Sequence, residues 1–206
     1  MPVIKINFRN FKECVNIAVG ILNKGGIIAY PTETFYGLGV KYDMENSLKK
    51  LIELKKRPID KGIPLIIGDK DQLSLIAEYV NKNAEKLIEK FWPGPLTLLL
   101  PAKKTLSSII TAETNKVAVR IPGESFALYL AKAIKCPITS TSANISDLPP
   151  AKDAETVFEY FHDGIDIIFD YGSSTASLPS TIVDATNEEI KIIREGLIKK
   201  DKICAG

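Results

Sequence analysis

Short apolar runs alternate along this chain with stretches whose apolar residues recur every three or four positions. The short runs, bounded by Gly, Pro or polar residues, predict buried strands at 3–7, 27–30, 64–67, 96–100, 117–120, 138–139, 165–169, 181–184 and 190–194. The helical period predicts helices at 11–22, from Asp43 or Asn46 to about 56, and at 71–79, 84–91, 125–134 and 153–161. Segment 107–116 is expected to be irregular, and the loop 171–179, rich in Gly, Ser and Thr, to be mobile.

This order of elements has no regular alternation of strand, helix and parallel strand. We therefore expect an α/β protein of the α+β kind, in which helices pack against a twisted, mixed β-sheet. Helix and strand should contribute similar amounts. No internal repeat or linker divides the chain, so residues 1–206 are predicted to form a single domain.

Composition adds few constraints. The chain is 45% hydrophobic, without an apolar run of the ~20 residues that a membrane span needs and without a signal-peptide pattern. A cytoplasmic protein without membrane contact is expected. The net charge of +2 does not by itself indicate nucleic-acid binding. Three scattered cysteines and one histidine, His162, predict free thiols and a solvated imidazole, which leaves no histidine to activate a nucleophile.

Polar residues gather where a predicted strand ends at Pro31. Thr32, Glu33, Thr34 and Tyr36 follow it directly, before two glycines. Open α/β sheets bind ligands beyond strand ends, so this segment is a candidate site. An ordinary polar connection between elements would have the same composition, and the segment alone does not decide between the two. Trp92, in a Pro- and Gly-rich turn, is interpreted as core packing.

Other strand ends carry residues suited to anions. Only four arginines stand against 23 lysines, and three of them lie at the ends of predicted elements: Arg57, Arg120 and Arg194. Arginine donates in a planar fork that fits carboxylate and phosphate. The hydroxyl- and amide-rich segment 140–144 and Ser180 also follow or open strands. Together with Lys55, these residues predict a site for an anionic substrate, with no cluster of metal ligands.

Seven segments of the chain, in order, closely resemble the YrdC family, whose members are threonylcarbamoyl-AMP synthases. The segments that carry the resemblance are 31–38 (PTETFYGL), 55–58 (KKRP), 91–97 (FWPGPLT), 117–122 (VAVRIP), 141–144 (TSAN), 179–182 (PSTI) and 193–196 (IREG). They span nearly the whole chain, so the resemblance implies a YrdC-like fold over its full length.

The resemblance also implies a reaction and the residues that perform it. L-threonine, bicarbonate or CO2, and ATP would yield threonylcarbamoyl-AMP and pyrophosphate, and a partner transferase would pass the threonylcarbamoyl group to tRNA beside the anticodon. Lys55 and Arg57 would contact the triphosphate, and Arg120 would hold the threonine carboxylate. Thr32 or Thr34, which the sequence does not distinguish, and Ser180 would assist on the threonine side. The nucleotide would lie against Ser142, Asn144, Pro150 and Arg194.

Two positions depart from the family pattern. Gly68 stands where many relatives have a histidine, and Lys116 where some have a threonine, so one contact on each side of the site is in question. Mg²⁺ is expected to arrive with ATP, because no acidic cluster in the sequence would hold it alone. Two alternatives stay open: an RNA-binding protein without catalysis, and a carbamoyl-transfer enzyme that prefers carbamoyl phosphate.

Overall fold

The computed structural model describes residues 1–204 and contains short strands and helices in mixed order. The strands are β1 (Val3–Lys5), β2 (Ile28–Tyr30), β3 (Gly37–Gly39), β4 (Leu65–Ile66), β5 (Leu96–Pro101), β6 (Lys116–Arg120), β7 (Ile138–Thr139), β8 (Thr141–Ser142), β9 (Ile167–Asp170), β10 (Thr181–Asp184) and β11 (Lys191–Arg194). The helices are α1 (Phe11–Asn23), α2 (Glu45–Lys55), α3 (Leu73–Ile76), α4 (Lys82–Phe91), α5 (Ser108–Thr111), α6 (Phe126–Ile134), α7 (Ala154–Phe161) and α8 (Lys200–Cys204).

The strands form two sheets, each with parallel and antiparallel neighbours. The first has the order β1-β9-β2-β3-β8 and the second the order β11-β10-β5-β6-β4-β7. The predicted mixed α/β architecture is confirmed, but the strands are divided between two sheets instead of one. The chain passes from the second sheet to the first at Ser140, the one residue between β7 and β8. Apolar periodicity identifies strands but not their partners, which is why the division was not predicted.

The alternation of side chains along the strands links the sheets to two clusters of buried residues. On β2, Ile28 and Tyr30 face a cluster built largely from α1 and α6, whereas Ala29 joins a larger cluster that also contains residues of the second sheet. The same alternation separates Leu65 from Ile66 on β4. Both sheets therefore contribute to both clusters.

Several boundaries differ from the expectation. The helix expected at 71–79 is reduced to α3 and one preceding 3₁₀ turn, and α2 begins after Met44 without a side-chain cap. The strands β3 and β8 and the helices α5 and α8 were not predicted. Because the strands are only two to six residues long, the described chain has more helix than strand, contrary to the prediction.

Three expectations about single side chains hold. Trp92 is buried and its indole N–H donates to the Leu96 carbonyl at 2.7 Å. His162 is exposed. The three cysteines are all free thiols.

Candidate active site

The segment after β2 folds into a tight hydroxyl-rich loop. Thr32 Oγ1 lies 2.9 Å from Thr34 Oγ1, is 2.7 Å from the Phe35 carbonyl and accepts the Thr34 N–H at 3.0 Å. Serine and threonine hydroxyls bond neighbouring backbone groups in this way at turns. Thr34 is buried and Thr32 partly exposed, so Thr32 is the more accessible of the two.

Arg120, at the end of β6, reaches this loop from the second sheet. Its Nη1 donates to Glu33 Oε1 at 2.6 Å, and both side chains are largely buried, with 7% and 15% of their surfaces exposed. The length is that of a charge-assisted hydrogen bond. The ion pair therefore fixes the position of the strand end against the Thr32–Thr34 loop.

Ser180 and Arg194 lie together at the neighbouring end of the second sheet. Arg194 Nη2 donates to the Ser180 carbonyl at 2.9 Å, and the Ser180 hydroxyl lies 3.0 Å from Thr97 Oγ1. The parallel pairing of β10 with β5 places Thr181 beside Leu96 and so sets this register. Partial desolvation, followed by the positive charge of Arg120, lowers the pKa of Arg194, which places the two guanidinium groups in one cationic region.

Lys55 organises the turn that follows β8. Only 1% of this residue is exposed, and its Nζ donates to the carbonyls of Ser142 and Asn144, both at 2.5 Å. Burial first, and then the charge of Arg57, lowers the pKa of Lys55 to about 7. The Ser142 hydroxyl donates to Asn144 Oδ1 at 2.5 Å, and the Asn144 amide donates to the Leu148 carbonyl at 2.7 Å. These bonds close a compact turn after β8.

Arg57 joins the loop after α2 to the same turn. Helix α2 is capped at its C-terminus by Lys56, whose backbone is left-handed with φ 49°. Arg57 Nε then donates to the Lys61 carbonyl at 2.9 Å and Nη2 to the Gly62 carbonyl at 2.5 Å, while Nη1 lies 3.5 Å from Thr141 Oγ1. Desolvation lowers the pKa of Arg57. In this conformation the guanidinium holds the loop 58–62 in shape.

The residues assigned to the two substrates form two neighbouring groups. Arg120, Thr32, Ser180 and Arg194 form one; Lys55, Arg57, Ser142 and Asn144 form the other. Antiparallel pairing of β3 with β8 connects them, because it places Gly37 beside Ser142 and so joins the Thr32–Thr34 loop to the turn after β8. Pro150 is exposed at the rim, next to Ala151, whose N–H bonds to the Ala143 carbonyl at 3.2 Å.

Tyr30 lies beneath the junction. It is fully buried, and its hydroxyl donates to the Thr139 carbonyl at 2.8 Å. Burial raises its pKa, and Ser140, Arg120 and Glu33 are all close enough to influence the phenol. The site therefore also contains residues to which the sequence alone assigned no role, Glu33 above all. The position of Glu33 in the polar run after Pro31 indicated that it could belong to a site. Its partner, however, is brought to it only by the tertiary fold.

The loop 171–179 lies against the segment that follows β2. The Ser174 hydroxyl donates to the Thr34 carbonyl, and the Tyr36 hydroxyl donates to the Gly172 carbonyl at 2.8 Å. The loop thus contacts the candidate site; whether it moves remains a prediction.

Comparison with known proteins places these motifs in one family. A model of the Sua5/YciO/YrdC domain, described as "Telomere recombination", matches residues 20–196. The chain belongs to the Sua5/YciO/YrdC family. It is 36% identical over 201 residues to the threonylcarbamoyl-AMP synthase of Pyrococcus abyssi, an alignment that covers 98% of this chain and 59% of that protein. It is 37% identical over 172 residues to the threonylcarbamoyl-AMP synthase of Idiomarina loihiensis, covering 81% of this chain and 91% of that protein.

The fold agrees with the sequence relationship. The crystal structure of Pyrococcus abyssi Sua5 complexed with L-threonine superposes with a TM-score of 0.90 at 36% identity, over 98% of this chain and 59% of that one. The resemblance recognised in the sequence is therefore confirmed as family membership. The chain spans about three fifths of the Pyrococcus protein and about nine tenths of the Idiomarina protein.

Gly68 lies where the structure leaves no space for a side chain. A Cβ at this position would lie 2.5 Å from the carbonyl carbon and oxygen of Ala131 and from the Lys132 nitrogen. The backbone after β4 is therefore packed directly against α6, and any side chain here requires backbone movement. A histidine would not fit this arrangement.

Gly68→Ala should destabilise the fold by about 1–3 kcal/mol, the usual cost of overpacking a filled interior. Gly20→Ala is the matched control: Gly20 lies within α1, and an added Cβ would meet nothing within 4 Å, so alanine should stabilise by about 0.5–1 kcal/mol. Urea unfolding of both variants measures the difference. Equal stabilities would show that α6 yields readily at Gly68.

Lys116 serves a different partner from the one its family position suggests. Its Nζ forms an ion pair with Asp184 Oδ2 at 2.6 Å, and Asp184 Oδ1 also accepts the Thr186 hydroxyl at 2.6 Å. Since β6 and β10 flank β5 on either side, this pair crosses the middle strand. Lys116 therefore links β6 to β10.

Other features lie away from the site. Two surface cavities of about 310 and 540 Å³ are lined by none of the residues assigned to substrates. Among residues 1–204, no three His, Cys, Asp or Glu side chains gather as metal ligands. Within the same residues, no helix is long and apolar enough to cross a membrane.

Proposed function

We propose that this chain is an L-threonylcarbamoyladenylate synthase, a nucleotidyltransferase that converts L-threonine, bicarbonate or CO2, and ATP into threonylcarbamoyl-AMP and pyrophosphate. The supporting observation is that Arg120, Ser180 and Arg194 stand beside the Thr32 loop, next to a hydroxyl- and amide-lined turn at Ser142–Asn144. The names of the relatives point to the same activity, and the Pyrococcus structure was solved with L-threonine.

The threonine side is the better defined half of the proposed site. Arg120 would bind the substrate carboxylate through guanidinium N–H groups that Glu33 does not use, with the Thr32 and Ser180 hydroxyls as further partners. Of the two threonines, Thr32 is the favoured ligand because it is the more exposed. Arg194, 2.9 Å from the Ser180 carbonyl, would stand between threonine and the nucleotide.

The nucleotide side would use Ser142, Asn144 and the exposed Pro150, with Arg57 at the phosphates. The carbamate formed on threonine must approach the α-phosphate against like charge. Positioning and charge neutralisation lower such a barrier without a covalent nucleophile. Arg57 and Arg194 would supply that charge. Mg²⁺ would come as part of the ATP substrate, neutralising its phosphates.

The proposed product is reactive and requires a downstream enzyme that uses it. An acyl-adenylate is a mixed anhydride, so a downstream threonylcarbamoyl transferase would use it to modify tRNA, in the cytoplasm. Contact between this chain and tRNA is proposed only for the transfer of that product.

Pyrophosphate release tests the activity. With ATP and Mg²⁺, pyrophosphate release should depend on both L-threonine and bicarbonate, because the carbamate must form before it can attack the α-phosphate of ATP. A coupled pyrophosphate assay with each component omitted in turn measures this. Release that ignores threonine would contradict the proposal. Turnover with carbamoyl phosphate in place of bicarbonate would indicate carbamoyl transfer, and salt-sensitive RNA binding without turnover would indicate the non-catalytic alternative.

A further inference from the structure

One carboxylate oxygen in the site has no hydrogen-bond partner. Glu33 Oε1 accepts from Arg120 at 2.6 Å, but Glu33 Oε2 is buried and receives no hydrogen bond from any residue in 1–204. Buried polar atoms are nearly always paired, and an unpaired one in a native structure calls for an explanation. The cost is larger for a charged group than for a neutral one.

The surroundings of this oxygen are built to hold the carboxylate where it is. Glu33 lies between Thr32 and Thr34 in the loop that the hydroxyls tighten. Gly123 leaves room for its side chain: a Cβ there would come within 3.2 Å of Glu33 Cγ. Position and orientation are therefore fixed by the loop on one side and Arg120 on the other, and the free oxygen is not the result of a loose side chain.

Arg120 also has unused capacity. A guanidinium carries five N–H donors, and among residues 1–204 only Nη1 of Arg120 donates to another residue. A buried guanidinium with free donors thus stands beside a buried carboxylate with a free acceptor. This arrangement is complementary to a zwitterion, whose carboxylate would pair with Arg120 and whose ammonium would pair with Glu33.

We propose that Glu33 Oε2 binds the α-ammonium group of the substrate amino acid and accepts one of its protons before the carbamate forms. This inference rests on the proposed function, because it assigns a residue to the threonine that the site is proposed to bind. It makes Glu33 both a determinant of selectivity for amino acids over analogues that lack the ammonium group, and a catalytic base.

The proton transfer balances with bicarbonate as the co-reactant. The Glu33 carboxylate takes one proton from the ammonium, which gives a neutral amine and a carboxylic acid. The amine nitrogen then attacks the bicarbonate carbon: the N–C bond forms, the C–OH bond breaks, and the departing hydroxide takes a second nitrogen proton to leave as water. The carbamate carries the negative charge, and Glu33 later returns its proton to solvent.

Binding measurements with paired ligands test the first part. L-Threonine and 3-hydroxybutyrate share a carboxylate and a hydroxyl, but only threonine has the ammonium. By calorimetry without ATP, the wild type should prefer threonine by about ten- to hundredfold, the usual value of a hydrogen bond to a charged group. Glu33→Gln should remove most of that preference while changing hydroxybutyrate affinity less than about threefold. Glu33→Asp keeps the charge but withdraws the oxygen by one methylene, and should also lose most of the preference.

Glu124→Gln is the control, since it removes an exposed carboxylate from the neighbouring segment and should leave both affinities unchanged. If Glu33→Gln weakens both ligands equally, Glu33 only orients Arg120 and the inference is overturned. If it tightens both, Glu33 competes with the substrate carboxylate, and the inference is overturned as well. Wild-type protein that binds neither ligand would instead contradict the proposed function.

The pH dependence of turnover tests the proton transfer. The Glu33→Gln variant has no carboxylate to deprotonate the substrate, so it can use only threonine whose amine is already neutral. Below the pKa of the threonine ammonium, the rate of this variant should therefore rise about tenfold per pH unit. The wild-type rate should rise less steeply over the same range. Parallel profiles for the two proteins would overturn the role as base.

Discussion

Arg120→Ala should weaken threonine binding by about thirtyfold to several thousandfold. Truncating one member of a buried, hydrogen-bonded charge pair typically costs about 2–5 kcal/mol, and each 1.4 kcal/mol is tenfold in affinity. Arg120 meets this description, because only 7% of its side chain is exposed and it is bonded to Glu33 at 2.6 Å. Calorimetric titration with threonine, and the threonine dependence of pyrophosphate release, measure the loss.

The effect of Arg120→Ala on the stability of the fold must be separated from its effect on threonine affinity. Arg120→Ala leaves the Glu33 charge buried without its partner, which destabilises by about 3–5 kcal/mol in comparable cases. The double variant Arg120→Ala/Glu33→Gln removes both charges, so it should recover most of the stability but none of the threonine affinity. Arg9→Ala, at an exposed arginine, should change neither property. A double variant that binds threonine normally would show that Arg120 acts only through the fold.

The elements that could be predicted from the sequence are those that form where apolar residues follow a local pattern. Strands such as β5 and β6 are short runs of aliphatic residues, and their positions were predicted within a residue or two. Strand β3, Gly37-Leu38-Gly39, has no such pattern because two of its three residues have no side chain. Gly39 is required by the adjacent strand β2, because a Cβ at Gly39 would lie 2.7 Å from the buried ring of Tyr30.

The same distinction between local pattern and distant contact applies to the residues of the candidate site. Residue types at strand ends, together with the family motifs, selected Arg120, Ser180 and Arg194, which the fold brings to one region. Partners that are distant in the sequence could not be derived in this way. Glu33 meets a guanidinium 87 positions away. Periodicity likewise could not show that the Lys55 amine is buried against two backbone carbonyls, although its position at the end of α2 was expected.

The burial of Lys55 changes what its replacement should do. As a triphosphate ligand it would affect ATP binding alone, but its Nζ also supplies hydrogen bonds to the Ser142 and Asn144 carbonyls. Lys55→Met keeps the aliphatic stem and leaves both acceptors without a donor, and an unsatisfied buried acceptor costs about 1–3 kcal/mol. We therefore expect the variant to lose ATP affinity mainly because the 142–144 turn is no longer held in shape.

The stability of the wild type should also depend on pH through this residue. Burial lowers the pKa of Lys55 from 10.5 to about 7, so between these values the unfolded chain binds more protons on Lys55 than the folded chain. The free energy of unfolding must then rise with pH in this window, by at most about 1.4 kcal/mol per unit, and stay flat below it. Relative to Lys55→Met, the wild type should become progressively more stable from about pH 7 to about pH 10.5.

Urea unfolding of both proteins at half-unit pH steps measures this difference. Subtracting the Lys55→Met curve from the wild-type curve removes the contribution of other titrating groups, provided that they are undisturbed. Lys56→Met is the matched control, because the adjacent side chain is exposed and its replacement should give a difference that does not vary with pH. A flat difference for Lys55 as well would mean that its amine stays protonated in the folded protein, with the charge stabilised by the two carbonyls, and only its role in holding the turn would remain.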